Sequence, residues 1–300
     1  MRWLAIFLMC GLFWLQPGLS LASPVLETLQ INGGSRSYWL YRPEGMDKVK
    51  PAPLLLVLHG SGGTGDDMVT VTQRGFERLA DKEKFMVVYP VALERRWNDL
   101  NGTADDVGFL LATIDKLAAD GLVDKSRVYA AGISNGGMMA QRLACEQADR
   151  LAGIATVAGT MPAGLAAVCK PARPLPVLII HGTDDPIVPW NGGAIAGLEE
   201  FGTVLSARDT AKFWAVANQC KDNGVILQEP DRDPQDGMRV RRESFNGCPV
   251  RAAVTLLAVE QGGHTWPGGY QYMPERFIGK TTKDIDANST IWSFFKGALP

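Results

Sequence analysis

The stretch "SRVYAAGISNGGMMAQRLACEQA", residues 126–148, decides the fold. Its first half, "RVYAAGIS", is a short apolar run of the kind that forms a strand buried on both faces, and its second half has the spacing of a helix. Between them Ser134 sits in Gly132-Ile133-Ser134-Asn135-Gly136. In such a turn, small flanking residues let the chain reverse sharply and hold a serine hydroxyl above the sheet. The pattern alone is weak, because glycine-rich chains supply it by chance. Its weight comes from a strand before it and a helix after it.

Working outward, "PLLLVLHG", "FMVVYP", "LAGIATVAG", "PVLIIHG" and "VTLLAVEQGG" are further apolar runs. They alternate with helical patterns near 66–82, 104–120, 136–147, 207–219 and 286–297. Strands near 25–31 and 36–42, joined through Asn32-Gly33, form a hairpin. The alternation predicts an α/β fold in one domain: a mostly parallel, doubly wound sheet with helices on both faces. "TADD", 103–106, fits a helix cap, so Thr103 and Asp106 have a structural reading first.

The first residues read as an export signal. One Arg precedes an apolar run from Leu4 to Leu15, then "QPG" and Ser20-Leu21-Ala22, which predicts cleavage after Ala22 and a secreted domain over 23–300. Cys10 leaves with that segment. Four cysteines remain, Cys145, Cys169, Cys220 and Cys248. In an oxidising compartment they suggest two disulfides; of the three pairings, Cys145–Cys169 with Cys220–Cys248 closes the shortest loops. No CxxC or tight Cys/His cluster points to a metal, and no phosphate-cradling glycine motif points to a nucleotide, so no cofactor is expected. A formal net charge of -2 without a long basic run argues against nucleic acid or an anionic membrane as partner.

A serine hydroxyl needs a base, and the base needs an orienting acid. The chain has 3 histidines. In this architecture the acid and then the histidine follow the serine, which selects His264 in "EQGGHTWPGG". The acid comes from "HGTDDPIVP": Asp185 first, Asp184 as the alternative, with Asp184 also able to serve an Asx-turn. His59 and His181, each before a glycine at a strand end, read as buried structural residues. The backbone N–H groups of Asn135 and of Ser61, in "HGSGGTG", are the expected donors to an oxyanion. Trp97, Trp190 and Trp266 are candidate substrate-binding aromatics, with Tyr270 nearby. Trp266 has the best case because it lies two residues beyond His264.

Taken in order, "LLVLHGSGGTGDDM", "DDVGFL", "GISNGGMMA", "HGTDDPIVPW" and "GGHTWPG" resemble the secreted esterases grouped with polyhydroxybutyrate depolymerases, feruloyl esterases and acetylxylan esterases. The resemblance spans nearly all of 23–300. It implies an α/β-hydrolase fold, a triad of Ser134, Asp185 and His264, and disulfides in the Cys145 and Cys220 regions. Depolymerases of this kind carry a linker and a polymer-binding domain, whereas this chain stops soon after "STIWSFFKG". The expected substrates are therefore feruloyl or acetyl esters of plant polysaccharide, or soluble hydroxyalkanoate oligomers. Acyl transfer to another acceptor, and a binding protein that has lost catalysis, are the competing functions.

Overall fold

The computed structural model describes residues 22–46, 50–100 and 102–297, so the export-signal reading of 1–22 falls almost wholly outside the described residues. Twelve strands run through it in chain order: β1 Val25–Ile31, β2 Gly34–Tyr41, β3 Ala52–Leu58, β4 Met86–Pro90, β5 Val123–Ile133, β6 Gly153–Val157, β7 Val177–Gly182, β8 Gly193–Ala194, β9 Thr203–Val204, β10 Asp222–Gln228, β11 Arg239–Asn246 and β12 Val254–Glu260. The helices are α1 Gly65–Val71, α2 Gly75–Glu83, α3 Asp106–Ala119, α4 Asn135–Gln147, α5 Ala163–Val168, α6 Ala207–Ala217, α7 Glu275–Ile278 and α8 Ala287–Phe295. Ten strands form one sheet in the order β1-β2-β4-β3-β5-β6-β7-β12-β11-β10. The six from β4 to β12 are mutually parallel, and the two at each end are antiparallel.

The side-chain alternation of β3 explains its continuous apolar run. Leu54, Leu56 and Leu58 enter the core on one face of the sheet, while Leu55 and Val57 enter the core on the other. In β7, Val177 and Ile179 split from Leu178 and Ile180 in the same way. Each such side chain, fully buried, contributes about 1.5–3 kcal/mol, so a strand covered on both faces has no polar positions to spare.

One predicted helix is two. The pattern over 66–82 breaks at Gln73 and Arg74, both in the left-handed region with φ of 51° and 55°. The break lets Gly75 approach Asn288 on α8, where a Cβ would lie 2.3 Å from Nδ2. The cap of α3 is Asp105, which accepts from Gly108 N–H, rather than Thr103. Asp106 is a buried strut: Oδ1 takes Arg36 at 2.6 Å and Oδ2 takes the N–H of Asn98. The cysteines pair sequentially, Cys145 with Cys169 and Cys220 with Cys248, and each link restricts the unfolded chain by about 3 kcal/mol. Among the described residues no helix is long and apolar enough to cross a membrane.

Candidate active site

The site lies at the carboxyl ends of β3, β5, β7 and β12, where an open α/β sheet leaves a crevice. Ser134 caps α4 directly after β5, with φ 56° and ψ -125°, a conformation costly for a residue with a side chain. Steric fit holds it there. A Cβ on Gly132 would meet the Gly136 carbonyl at 2.4 Å, and one on Gly136 would meet the carbonyl oxygens of Leu58 and His59 at 2.4 Å. Both motif glycines are thus required by close approach of backbone to backbone. The Ser134 N–H donates to Val157 O on the neighbouring strand.

Asp185 and His264 meet across 79 residues of chain: His264 Nδ1–H donates to Asp185 Oδ2 at 2.8 Å. A carboxylate only accepts, so the proton sits on Nδ1 and Nε2 is left as an acceptor. Asp185 Oδ1 accepts from the N–H groups of Ile187 and Val188, both at 2.8 Å. The Asx-turn of this loop therefore belongs to Asp185, which performs both tasks that the sequence divided between two residues. Asp184 is exposed and accepts only from Thr183 Oγ1. His264 is 4% exposed, its loop fixed by Tyr272 O–H donating to His264 O. No hydrogen bond joins Ser134 to His264 among the described residues; such contacts commonly tighten only once substrate is bound.

Loop 59–63 reaches the serine, since a Cβ on Gly60 would lie 3.4 Å from Ser134 Cβ. The first bond of α4 is Met138 N–H to Ser134 O, so the Asn135 N–H, at the positive end of the helix, has no acceptor within it. The Asn135 side chain clasps the backbone of Trp97, accepting its N–H at 2.7 Å and donating to its carbonyl at 3.1 Å. Trp97 in turn donates its indole N–H to His59 O. His59 Nδ1–H donates to Gly60 O and Nε2 accepts from Ala92 N–H, so both ring nitrogens are satisfied and burial holds its pKa below the usual value. No sequence signal announced this clasp; only the position of Asn135 after the serine could have hinted at it.

The aromatic candidates sit at different depths. Trp266 is fully buried, edge-on to Phe76 and bonded through its indole N–H to Asn288 Oδ1. Trp97 is 1% exposed and serves the clasp. Trp190 is half-buried, packed on the core beside His181. The chain after His264 turns under α8, where a large indole gains more from core burial than from the rim. A groove of about 990 Å³ is lined by Met138, four residues beyond Ser134 along α4, and by Trp97, Asp99, Leu93 and, on the loop between β8 and β9, Phe201. Phe201 and Leu93 are its exposed apolar walls, at 42% and 47%. Burial raises the Asp99 carboxyl above its usual range.

Residues 46–201, about half of the chain, match the phospholipase/carboxylesterase family. The chain belongs to that family. A protein of Nocardia uniformis subsp. tsuyamanensis named as the esterase NocK is 32% identical, over 92% of this chain and 83% of its own. One of Aspergillus terreus named as feruloyl esterase C is 33% identical, over 92% of this chain and 89% of its own. Among solved structures, an acetyl xylan esterase from Aspergillus awamori superposes with a TM-score of 0.58 at 15% identity, covering 80% of this chain and 94% of that one, which speaks for the fold. The chain is a carboxylic ester hydrolase with the α/β-hydrolase fold.

Proposed function

We propose that this esterase is exported and cleaves short acyl and hydroxycinnamoyl esters of plant polysaccharide, or hydroxyalkanoate oligomers, through an acyl-enzyme on Ser134. The observation that carries the reading is the buried Asp185–His264 hydrogen bond at the same sheet edge as a serine held in a strained turn. Ser134 Oγ attacks the ester carbonyl while His264 Nε2 takes its proton. Asp185 holds the imidazole in the required tautomer and stabilises its charge. The N–H groups of Asn135 and Ser61 receive the oxyanion. His264 then protonates the departing alcohol, and water, activated by the same histidine, releases the acid.

Export is supported by the two disulfides and by the signal-like first 22 residues. The substrate class is supported by relatives named for feruloyl esters and by the aromatic wall of the groove. Purified protein screened on p-nitrophenyl acetate, methyl ferulate, acetylated xylan, hydroxybutyrate oligomers and a long-chain triglyceride tests it. Short acyl and feruloyl esters are expected to turn over and the triglyceride poorly. Ser134→Ala is expected to remove turnover and labelling by a fluorophosphonate while the protein stays folded, a loss of about 10⁴-fold or more. Turnover unchanged by Ser134→Ala overturns the mechanism.

A further inference from the structure

The carboxylate of Asp185 has a second histidine beside it. His181, near the end of β7, is 1% exposed; its Nε2 lies 2.8 Å from Val188 O and 3.6 Å from Asp185 Oδ2. A carbonyl only accepts, so Nε2 carries the proton and Nδ1 is bare. Among the described residues that bare nitrogen is buried with no partner. Protonating it would create a buried cation with nothing to receive its proton, and desolvation accordingly holds the imidazole pKa low. His181 is thus a neutral ring offering one donor.

Its donor closes a loop. The Val188 N–H donates to Asp185 Oδ1, and the Val188 carbonyl is pinned by His181, so the turn that shapes the carboxylate is clamped at both sides of one residue. Val188 is fully buried, and Pro189 after it has no N–H with which to anchor the turn. At 3.6 Å the contact with Oδ2 is too long for a hydrogen bond, so the effect on Asp185 runs through the turn. From this geometry we infer that His181 is a positioning residue that fixes the rotamer of the Asp185 carboxylate, and through it the basicity of His264. The inference rests on the triad reading above.

The groups bearing on His181 are few. Asp185 is at 3.6 Å, His264 stands beyond that carboxylate, and Tyr272, close enough to feel the Asp185 charge, bonds to His264 O. The ring of Trp190 is 6.2 Å away and uncharged.

The test compares His181→Phe, which keeps the ring and loses the donor, with His181→Gln, which keeps a donor, using kcat and KM for p-nitrophenyl acetate from about pH 5 to 9. A loosened carboxylate stabilises less well the positive charge that the base takes up, so the acid limb of the activity profile moves to lower pH. His181→Phe is expected to lower kcat by about tenfold or more, with KM within about threefold, and to move that limb by roughly half a unit or more. His181→Gln is expected to recover most of the rate and the limb. A folded His181→Phe protein with wild-type kcat and profile overturns the inference, as does a Gln variant no better than Phe. Should His181→Phe not fold, nitrogen NMR of the wild-type imidazoles decides: a neutral Nε2–H ring at His181 across about pH 5.5 to 8 supports the inference, and a charged or Nδ1–H ring overturns it. Asp185→Asn separates the two failures. If it leaves kcat intact the triad reading falls, whereas an inactive Asp185→Asn beside silent His181 variants sinks only this inference.

Discussion

The two halves of the site are built by different physics. On the side of the proposed nucleophile, Ser134 is held by what is missing: side chains on Gly132 and Gly136 that would collide with backbone at 2.4 Å. On the acid–base side, Asp185 and His264 are held by what is present, a set of hydrogen bonds to Ile187, Val188 and Tyr272 that converge from separate loops. The first construction leaves a motif, Gly132-Ile133-Ser134-Asn135-Gly136, although Gly136 packs against the backbone of Leu58 and His59 from far along the chain. The second joins residues 79 apart and leaves almost none.

The sharpest way to break this comparison is at the carboxylates. Asp185→Asn replaces the oxygen that receives the His264 proton with an amide, or turns the imidazole to its wrong tautomer, and is expected to lower kcat by about 10³- to 10⁴-fold with KM little changed. Asp184→Asn, on an exposed side chain, is expected to stay within about twofold. Equal losses for the two would mean that the acid–base half is assembled through some contact other than the 2.8 Å bond.

On the nucleophile side the corresponding probe is Gly136→Ala. The added carbon has no space against Leu58 O and His59 O, so either α4 shifts or the elbow opens. Overpacking of this kind costs about 1–3 kcal/mol or more, read as a lower midpoint in urea, together with loss of turnover. An Asp185→Asn protein should separate the two losses, with turnover lost and the midpoint nearly kept. A stable, active Gly136→Ala protein would show that the elbow tolerates what the close approach forbids.

This difference also explains what could be seen in the sequence. The central parallel strands were legible because burial on both faces leaves runs such as "PLLLVL" with no polar residue. The antiparallel hairpin of β1 and β2 at one edge was legible too, through its alternation around Asn32-Gly33, but the antiparallel edge of β11 and β10 was not. In β11, Arg239–Asn246, charged side chains interrupt the apolar pattern, and pairs such as Arg242–Glu229 and Arg241–Glu260 stabilise the strand across its neighbours instead. The Gly-x-Ser-x-Gly pattern was visible as a local motif, whereas the partners proposed for it followed from the chain order expected of the architecture. The choice between Asp184 and Asp185 stayed open because adjacent residues point to opposite sides of a loop, and nothing in their spacing says which side faces His264. The aromatics misled because position along the chain near His264 does not fix depth, and a tryptophan gains more from burial than from the rim.

Correcting the aromatics moves the substrate prediction to another residue and gives the smallest expected effect. Of the side chains lining the groove, Phe201 presents an exposed ring, on the loop between β8 and β9. A ring there can stack on an aryl ester but offers an acetyl group little, so Phe201→Ala should weaken the two substrates unequally. The expected result is a rise in KM for methyl ferulate of about five- to tenfold, worth roughly 1 kcal/mol, with kcat and the acetate KM within about twofold. Trp266→Ala serves as the contrast: with its indole in the core, its loss costs about 3–5 kcal/mol of stability and discriminates between no substrates. A Phe201→Ala protein that weakens acetate as much as ferulate would show that the groove wall does not read the acyl group. Selection would then fall to the acid–base side, where Tyr270 stands exposed on the loop after His264.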